Sequence, residues 1–563
     1  MTKRLLTALG LLFLAIPSIA AAQGVTSSAD PRATEAGRQI LHDGGSAADA
    51  AVAMVAVLTL VEPQSSGIGG GGFLVYHDQK TDSIATIDGR ETAPASAKPD
   101  RFLGADGKPR PFMDVVPGGL SVGVPGNMRL METAHRKWGK LEWAALFQPA
   151  IKLAEEGFEV TPALYGWMDR YQDVWRDFPE LRAIYYVDGK PAPVGTRLRN
   201  PAYAALLREV AAKGPNAFYA GANARAISRA VAQAPRNKAQ ITLADLAAYQ
   251  AKERPAVCTT YRVYRVCGMG PPSSGATTVF GILGLVEGWD MKAMGKDNPM
   301  SWHLLSEAMQ LAYADRAKYL GDADFVDVPV AGLLDKSYLA QRRGLISPFG
   351  AAGRYEAGTP PGAEPRRVSG PVAEQGTTHF VAVDRDGNVA SMTSTIESIF
   401  GSHLVANGYL LNNEMTDFDL SPERDGAPAA NRVQAGKRPL SSMSPTIVYG
   451  PDGKVVLAVG SAGGKRIIMH VTKTLIGVLD WGLSAEDAIA LPNLFFGQQG
   501  VLIEDDAAGK AIADKMAPFG YAITPTDLGS KLNAAQRVGD IWHGAADPRG
   551  PGTSSVDGAP PQG

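Results

Sequence analysis

The chain has 563 residues, 45% of them hydrophobic and 20% charged, which is ample for a large core and unlike a disordered chain. Its 55 Lys and Arg against 57 Asp and Glu leave a formal net charge of −2, with no electrostatic pull onto nucleic acid or anionic lipid. The eight histidines include no pair at the i, i+4 spacing of a helical zinc site, so a metal is not expected.

Met1-Thr2-Lys3-Arg4, an apolar stretch from Leu5 to Ile16 and the small residues ending Ala20-Ala21-Ala22 have the pattern of a secretory signal peptide. The apolar core is short for a membrane span, so cleavage after Ala22 and export, into the periplasm, are expected. The Ala-rich run from Ala47 to Val61 reads as a buried helix despite Asp49. Gly67–Gly72 contains G-x-G-x-x-G, but a helix precedes it and a strand, Gly72–Tyr76, follows. That order is the reverse of a dinucleotide fingerprint, so the glycines predict close backbone packing instead. Helical patterns follow over Pro125–Trp138, Leu141–Glu156, Pro201–Lys213 and Pro299–Leu320.

Between these, Cys258 and Cys267 flank a strand-like segment that includes Val263–Gly268. An oxidising compartment permits a disulfide here; free thiols on opposite faces are the alternative. Residues 350–376 are rich in Pro, Gly and charge, and read as a long loop or linker. A strand starts directly after it at Thr377-Thr378-His379, turns at Asp384–Asn388 and returns through Val389–Thr395. The last twenty residues, 544–563, are again rich in Pro and Gly, and fraying is expected there.

That hairpin places Thr377 opposite Thr395 to Glu397. A threonine hydroxyl is a weak nucleophile, but a free α-amine on the same residue, with an ordinary pKa of about 7.7–8.0, can take its proton. The amine exists only if the Gly376–Thr377 bond is cut. Taken alone, a Thr-Thr pair opening a strand is more often structural.

The wider sequence resembles the γ-glutamyltransferase (γ-glutamyltranspeptidase, glutathione hydrolase) family of N-terminal-nucleophile hydrolases over nearly the whole chain. The resemblance rests on GGSAADAAVA at 44–53, VEPQSSGIGGGGF at 61–73, GRETAP at 89–94, VGVPG at 122–126, PAIKLAEEGF at 149–158 and PPSSG at 271–275. It continues through YADR at 313–316, GTTHFVAVDRDGN at 376–388, LLNNEMTDF at 410–418, KRPLSSMSPT at 437–446 and GSAGGKR at 460–466.

The resemblance implies an α+β fold, the four-layer αββα sandwich, and self-cleavage into a large subunit, 23–376, and a small one, 377–563. It implies that Thr377 is the nucleophile, aided by Thr395, and that Gly463 and Gly464 supply the oxyanion hole. Arg90, Ser441 and Ser442 would hold the substrate α-carboxylate, and Glu414 and Asp417 its ammonium. These roles make chemical sense: Arg offers a bidentate fork, two acids can share one ammonium, and a Gly-Gly pair exposes backbone N–H groups. The sequence departs from the family at Glu397, where many members have Asn, and between Asp417 and Ser441, where no aromatic latch is evident for a lid. Glu397 adds an acid beside the nucleophile and can still accept from an ammonium. The implied substrates are glutathione and other γ-glutamyl compounds, with water, amino acids or dipeptides as acceptors, and the resemblance implies no organic cofactor. A glutaryl or cephalosporin acylase, and an unprocessed exported binding protein, remain as alternatives.

Overall fold

The computed structural model describes residues 23–370, 376–424, 427–497 and 500–557. The signal-peptide stretch therefore lies outside the described residues.

Two antiparallel sheets form the centre. Their strands in chain order are β1 (Val25–Ser28), β2 (Gly71–Asp78), β3 (Ser83–Asp88), β4 (Lys252–Arg254), β5 (Val257–Tyr261), β6 (Tyr264–Gly268) and β7 (Thr378–Val383). There follow β8 (Val389–Thr395), β9 (Thr446–Tyr449), β10 (Val455–Gly460), β11 (Asn533–Val538), β12 (Ile541–Ala546) and β13 (Thr553–Val556). The first sheet runs β13-β1-β7-β8-β2-β3-β4 and the second β12-β11-β10-β9-β6-β5. The helices that matter for the site are α1 (Pro31–His42), α2 (Ala47–Val61), α3 (Asn127–Trp138), α4 (Gly275–Val286), α5 (Pro299–Tyr319) and α6 (Ile467–Leu479).

Strand periodicity sorts the first sheet's side chains into two cores. Leu74, Tyr76, Phe380 and Ala382 pack with α1, α2 and α3. Phe73, Val75, Val381 and Val383 pack instead with Ile447, Leu457 and Val459 of the second sheet. Residues of α4, α5 and α6 join that second core, which completes the expected helix–sheet–sheet–helix order.

Helix α2 is buried along its whole length. Its one acid is explained by hydrogen bonding. Asp49 forms a capping box with Ser46, and its carboxylate also accepts from the backbone N–H groups of Lys140 and Leu141. The glycine run before β2 exists for close approach. A Cβ on Gly69 would lie 2.0 Å from the Leu410 carbonyl, and one on Gly70 1.9 Å from the Thr395 carbonyl. Cys258 and Cys267 face each other across β5 and β6 and are joined by a disulfide.

Two expectations need correction. The C-terminal stretch is not frayed as far as it is described. β12 pairs with β11, β13 pairs with β1, and Asp557 is ion-paired with Arg385 while its backbone N–H donates to the Gly24 carbonyl. Its glycine content serves tight packing: a Cβ on Gly544 would lie 2.6 Å from the Ser554 Cβ. Within 544–563, residues 558–563 lie outside the described residues. The described part of the other Pro- and Gly-rich loop, 350–370, is irregular, as expected, but it is tied down. Gly358 N–H donates to Asp315, Ser369 N–H to the Ala317 carbonyl, and Gly370 N–H to Asp419.

Candidate active site

The hairpin register pairs Thr378 with Ser394, so Thr377 stands beside Thr395 at the open end of β7 and β8. Thr377 Oγ1 donates to Thr395 Oγ1 at 3.1 Å, and Thr395 Oγ1 also accepts from the Glu397 backbone N–H at 2.8 Å. The backbone here is strained. Thr377 has φ +85 and Glu397 φ +76, values that a β-branched residue in particular avoids, at a cost of about 1–3 kcal/mol each. Gly376 has φ +79, and a Cβ on it would lie 2.1 Å from the Glu397 carbonyl, so no other residue fits.

The Gly376–Thr377 peptide is gripped at both of its polar atoms. Gly463 N–H donates to the Gly376 carbonyl, N to O 3.4 Å. Thr377 N–H donates to the Ser65 carbonyl at 3.1 Å. Behind Ser65, Lys531 Nζ bonds the Ser65 hydroxyl at 2.7 Å and pairs with Glu62. Gly463 and Gly464 both have positive φ, +122 and +60, in the turn that leads into α6. His379, two residues beyond Thr377, is not a base for it. Its Nδ1 meets Thr393 Oγ1 at 2.8 Å, and burial lowers its pKa to about 3.

On the other side of Thr377 lies a small cavity of about 10 Å³. Arg90, Thr395, Glu397, Glu414, Asp417, Ser441, Ser442 and Gly464 share its wall with Thr377. The side chains chosen from the sequence thus converge, with Gly463 just behind.

Arg90 has acceptors at each of its guanidinium nitrogens. Its Nη1 is bonded to Glu414, its Nη2 to Asp417 at 2.5 Å and to the Leu440 carbonyl at 2.9 Å, and its Nε to the Pro439 carbonyl at 3.2 Å. The reason is burial: Arg90 is 1% exposed, and a guanidinium taken out of water must find acceptors inside the protein. Burial works against its charge, but Glu414, Asp417 and Glu91 more than offset this and hold it protonated. The acids pay the corresponding penalty. Burial raises Glu414 well above the carboxylate range against the pull of Arg90, and raises Glu91 to about 8. Glu397 is held by Asn413 Nδ2 and Ser398 Oγ.

Ser442 Oγ accepts from Arg316 of α5 at 2.7 Å, and the same guanidinium bonds Ser274 Oγ at 2.8 Å. The Ser441 carbonyl accepts from the Ser274 backbone N–H and hydroxyl. Asn431 joins the Asp417 and Leu440 loops by donating to the Asp417 carbonyl and accepting from Leu440 N–H. Sequence reasoning assigned no role to Ser65, Glu91, Arg316, Asn413, Asn431 or Lys531. Four of these lie inside or next to motifs already singled out: VEPQSSG, GRETAP, YADR and LLNNEM. Asn431 and Lys531 carry no such signal.

A family model described as Gamma-glutamyltranspeptidase matches residues 33–556. The glutathione hydrolase proenzyme of Bacillus subtilis strain 168 is 36% identical over 518 residues, covering 90% of this chain and 86% of its own. The acylase ACY 1 proenzyme of Pseudomonas sp. strain SE83 is 35% identical over 543 residues, covering 94% and 93%. The crystal structure of a cephalosporin acylase from Bacillus halodurans superposes with a TM-score of 0.84 at 26% identity, over 95% of this chain and 96% of that one.

Proposed function

Because the chain belongs to the gamma-glutamyltranspeptidase family, we propose that it is a self-processing γ-glutamyl hydrolase and transferase with Thr377 as nucleophile. The observation that carries this is the Thr377 corner. A hydroxyl, a strained peptide and a backbone donor aimed at that peptide's carbonyl sit at the mouth of an acid- and arginine-lined cavity.

Processing comes first. Thr377 Oγ1 attacks the Gly376 carbonyl carbon, and Gly463 N–H stabilises the oxyanion. The C–N bond breaks as the nitrogen gains a proton, which leaves an ester. Water hydrolyses that ester to a Gly376 carboxylate and a free Thr377 amine. The large subunit would be 23–376 and the small one 377–563, exported together after removal of 1–22.

In turnover the new amine, held at the Ser65 carbonyl, takes the Thr377 hydroxyl proton while Oγ1 attacks the γ-carbonyl. The amine product, cysteinylglycine when the donor is glutathione, leaves with that proton. Water, or the amine of an amino acid or dipeptide, then resolves the γ-glutamyl ester.

The head group enters by exchanging ion pairs. Its carboxylate takes donors of Arg90, with Ser441 and Ser442 alongside, and its ammonium takes over Glu414 and Asp417. A zwitterion can do this without leaving a buried charge unmatched. The acylase reading draws on the acylase relative and the similar acylase structure. A glutaryl group brings no cation, and the two acids it displaced from Arg90 would lose their partner. That favours γ-glutamyl substrates.

The test is a denaturing gel of the purified protein together with turnover of a γ-glutamyl anilide. Two bands and anilide release are expected. A single uncut chain that only binds γ-glutamyl compounds would overturn the enzyme reading.

A further inference from the structure

Gly463 N–H is the donor that reaches the Gly376 carbonyl, and it shares one rigid peptide unit with the Ala462 carbonyl. In a trans peptide the two groups point in opposite directions, so whatever fixes the carbonyl also aims the N–H. Two side chains hold that carbonyl from behind the site. Ser461 Oγ donates to it at 3.0 Å, and His470 Nδ1 lies 3.1 Å from it. Ser461 Oγ is also 3.1 Å from the same ring nitrogen. Only a ring carrying its proton on Nδ1 can meet a carbonyl oxygen there.

His470 is buried in the first turn of α6, and this holds it neutral, well below its ordinary pKa, with Lys473, Arg466 and Arg549 adding to the effect. The ring also lies against the oxyanion turn. A Cβ on Gly463 would be 3.0 Å from its Cε1, so the glycine lets the ring in. Donors on a peptide carbonyl also polarise the N–H at the other end of the unit, which strengthens it toward an oxyanion.

We propose that His470, assisted by Ser461, is a positioning residue that aims the Gly463 N–H at the reacting carbonyl, both in self-cleavage and in γ-glutamyl transfer. This rests on the function proposed above. His470 moves no proton in either reaction; its Nδ1–H stays on the Ala462 carbonyl throughout.

The test compares three substitutions in the full-length chain. His470→Asn can place an amide N–H where Nδ1 stands, His470→Gln reaches toward the Nε2 position, and His470→Leu has no donor. The rate of splitting on a gel, kcat and KM for a γ-glutamyl anilide, and Tm are measured for each. Removing an oxyanion donor outright costs about 10²–10³ in kcat, so misaiming one should cost about 10- to 100-fold.

The Leu and Gln variants are therefore expected to lose that much kcat with KM within about twofold, and to split more slowly by a similar factor. The Asn variant should recover both rates to within about threefold. Ser461→Ala, a smaller change, should lower kcat in the same way but less, and it decides the matter should the Leu chain not fold. Asn no better than Leu, or a loss carried by KM alone, would overturn the assignment to His470 while leaving Thr377 untouched. A wild-type chain that neither splits nor releases anilide would overturn the underlying reading instead.

Discussion

Thr377 stands between two neighbourhoods built from different materials. On one side are backbone groups: the Ser65 carbonyl, the Gly463 N–H and a strained peptide with φ above +75 on both of its residues. On the other are ionisable side chains: Arg90, Glu414, Asp417 and Glu91, all buried. The backbone side needs only a carbonyl carbon, whether it belongs to Gly376 or to a substrate. Arg90 bonds Glu414, Asp417 and the carbonyls of Pro439 and Leu440 rather than the Gly376–Thr377 peptide. Its proposed role is recognition, and its burial cost is met internally by ion pairing. Processing and substrate choice should therefore separate when one side is altered and the other is not.

The one change that should abolish both is Thr377→Ala. In the mechanism proposed above a single hydroxyl serves both reactions, so the variant is expected to stay one chain and to release no anilide. A gel showing the Gly376–Thr377 bond still cut would remove Thr377 from the mechanism. Thr377→Ser keeps a hydroxyl and an amine, and should split and turn over more slowly.

Next in size is discrimination on the charged side alone. A γ-glutamyl anilide should be preferred over a glutaryl anilide by at least about a hundredfold at neutral pH. A site built around a buried polar partner rejects analogues lacking it by up to about 10⁴–10⁵, and solvent access softens this. Asp417→Asn should narrow the gap, chiefly by harming the γ-glutamyl substrate, and should leave splitting intact. Equal kcat/KM for both anilides on the unaltered enzyme would favour the acylase reading.

Smaller again is Arg90→Lys. Lysine keeps the charge but cannot span two acids and two backbone carbonyls as the planar fork does. The loss in kcat/KM should be roughly 1.5–3 kcal/mol, the range for hydrogen bonds to charged groups. Splitting should proceed, because no partner of Arg90 belongs to the scissile peptide. Kinetics within twofold of the unaltered enzyme would show that Arg90 does not hold the substrate.

The difference between the two sides also explains what could be read from the sequence. The backbone side is local. The DRDGN turn sets the β7–β8 register, and the register alone brings Thr377 to Thr395. Helix α2 and the glycine run before β2 follow from periodicity and element order in the same way. The charged side is assembled from loops far apart in the chain: Arg90 meets Glu414 and Asp417 across 324 and 327 positions. Motif resemblance could name these residues, but it could not tell that Arg90 is bonded to both acids. The C-terminal strand was misread for the same reason, since its Gly- and Pro-rich composition conceals a partner, Val25–Ser28, at the opposite end of the chain.

The smallest expected effect is on stability, and it isolates the cost of the charged side. Glu91 is buried beside Arg90 and Glu414, and burial raises its pKa from 4.5 to about 8. Between those two values the folded protein holds a proton that the unfolded chain has released. Stability therefore falls as pH rises through that window, and the loss is complete above about 8. Glu91→Gln keeps the shape of a protonated carboxyl and cannot ionise. The variant should melt close to the unaltered protein at pH 5 and gain on it steadily toward pH 8, by a few degrees at most for a chain of this size. Melting curves at half-unit pH steps on the purified protein measure the difference directly. Two curves that stay parallel across the window would mean that Glu91 is ionised in the folded state, and that Arg90 carries one more negative partner than the raised pKa allows.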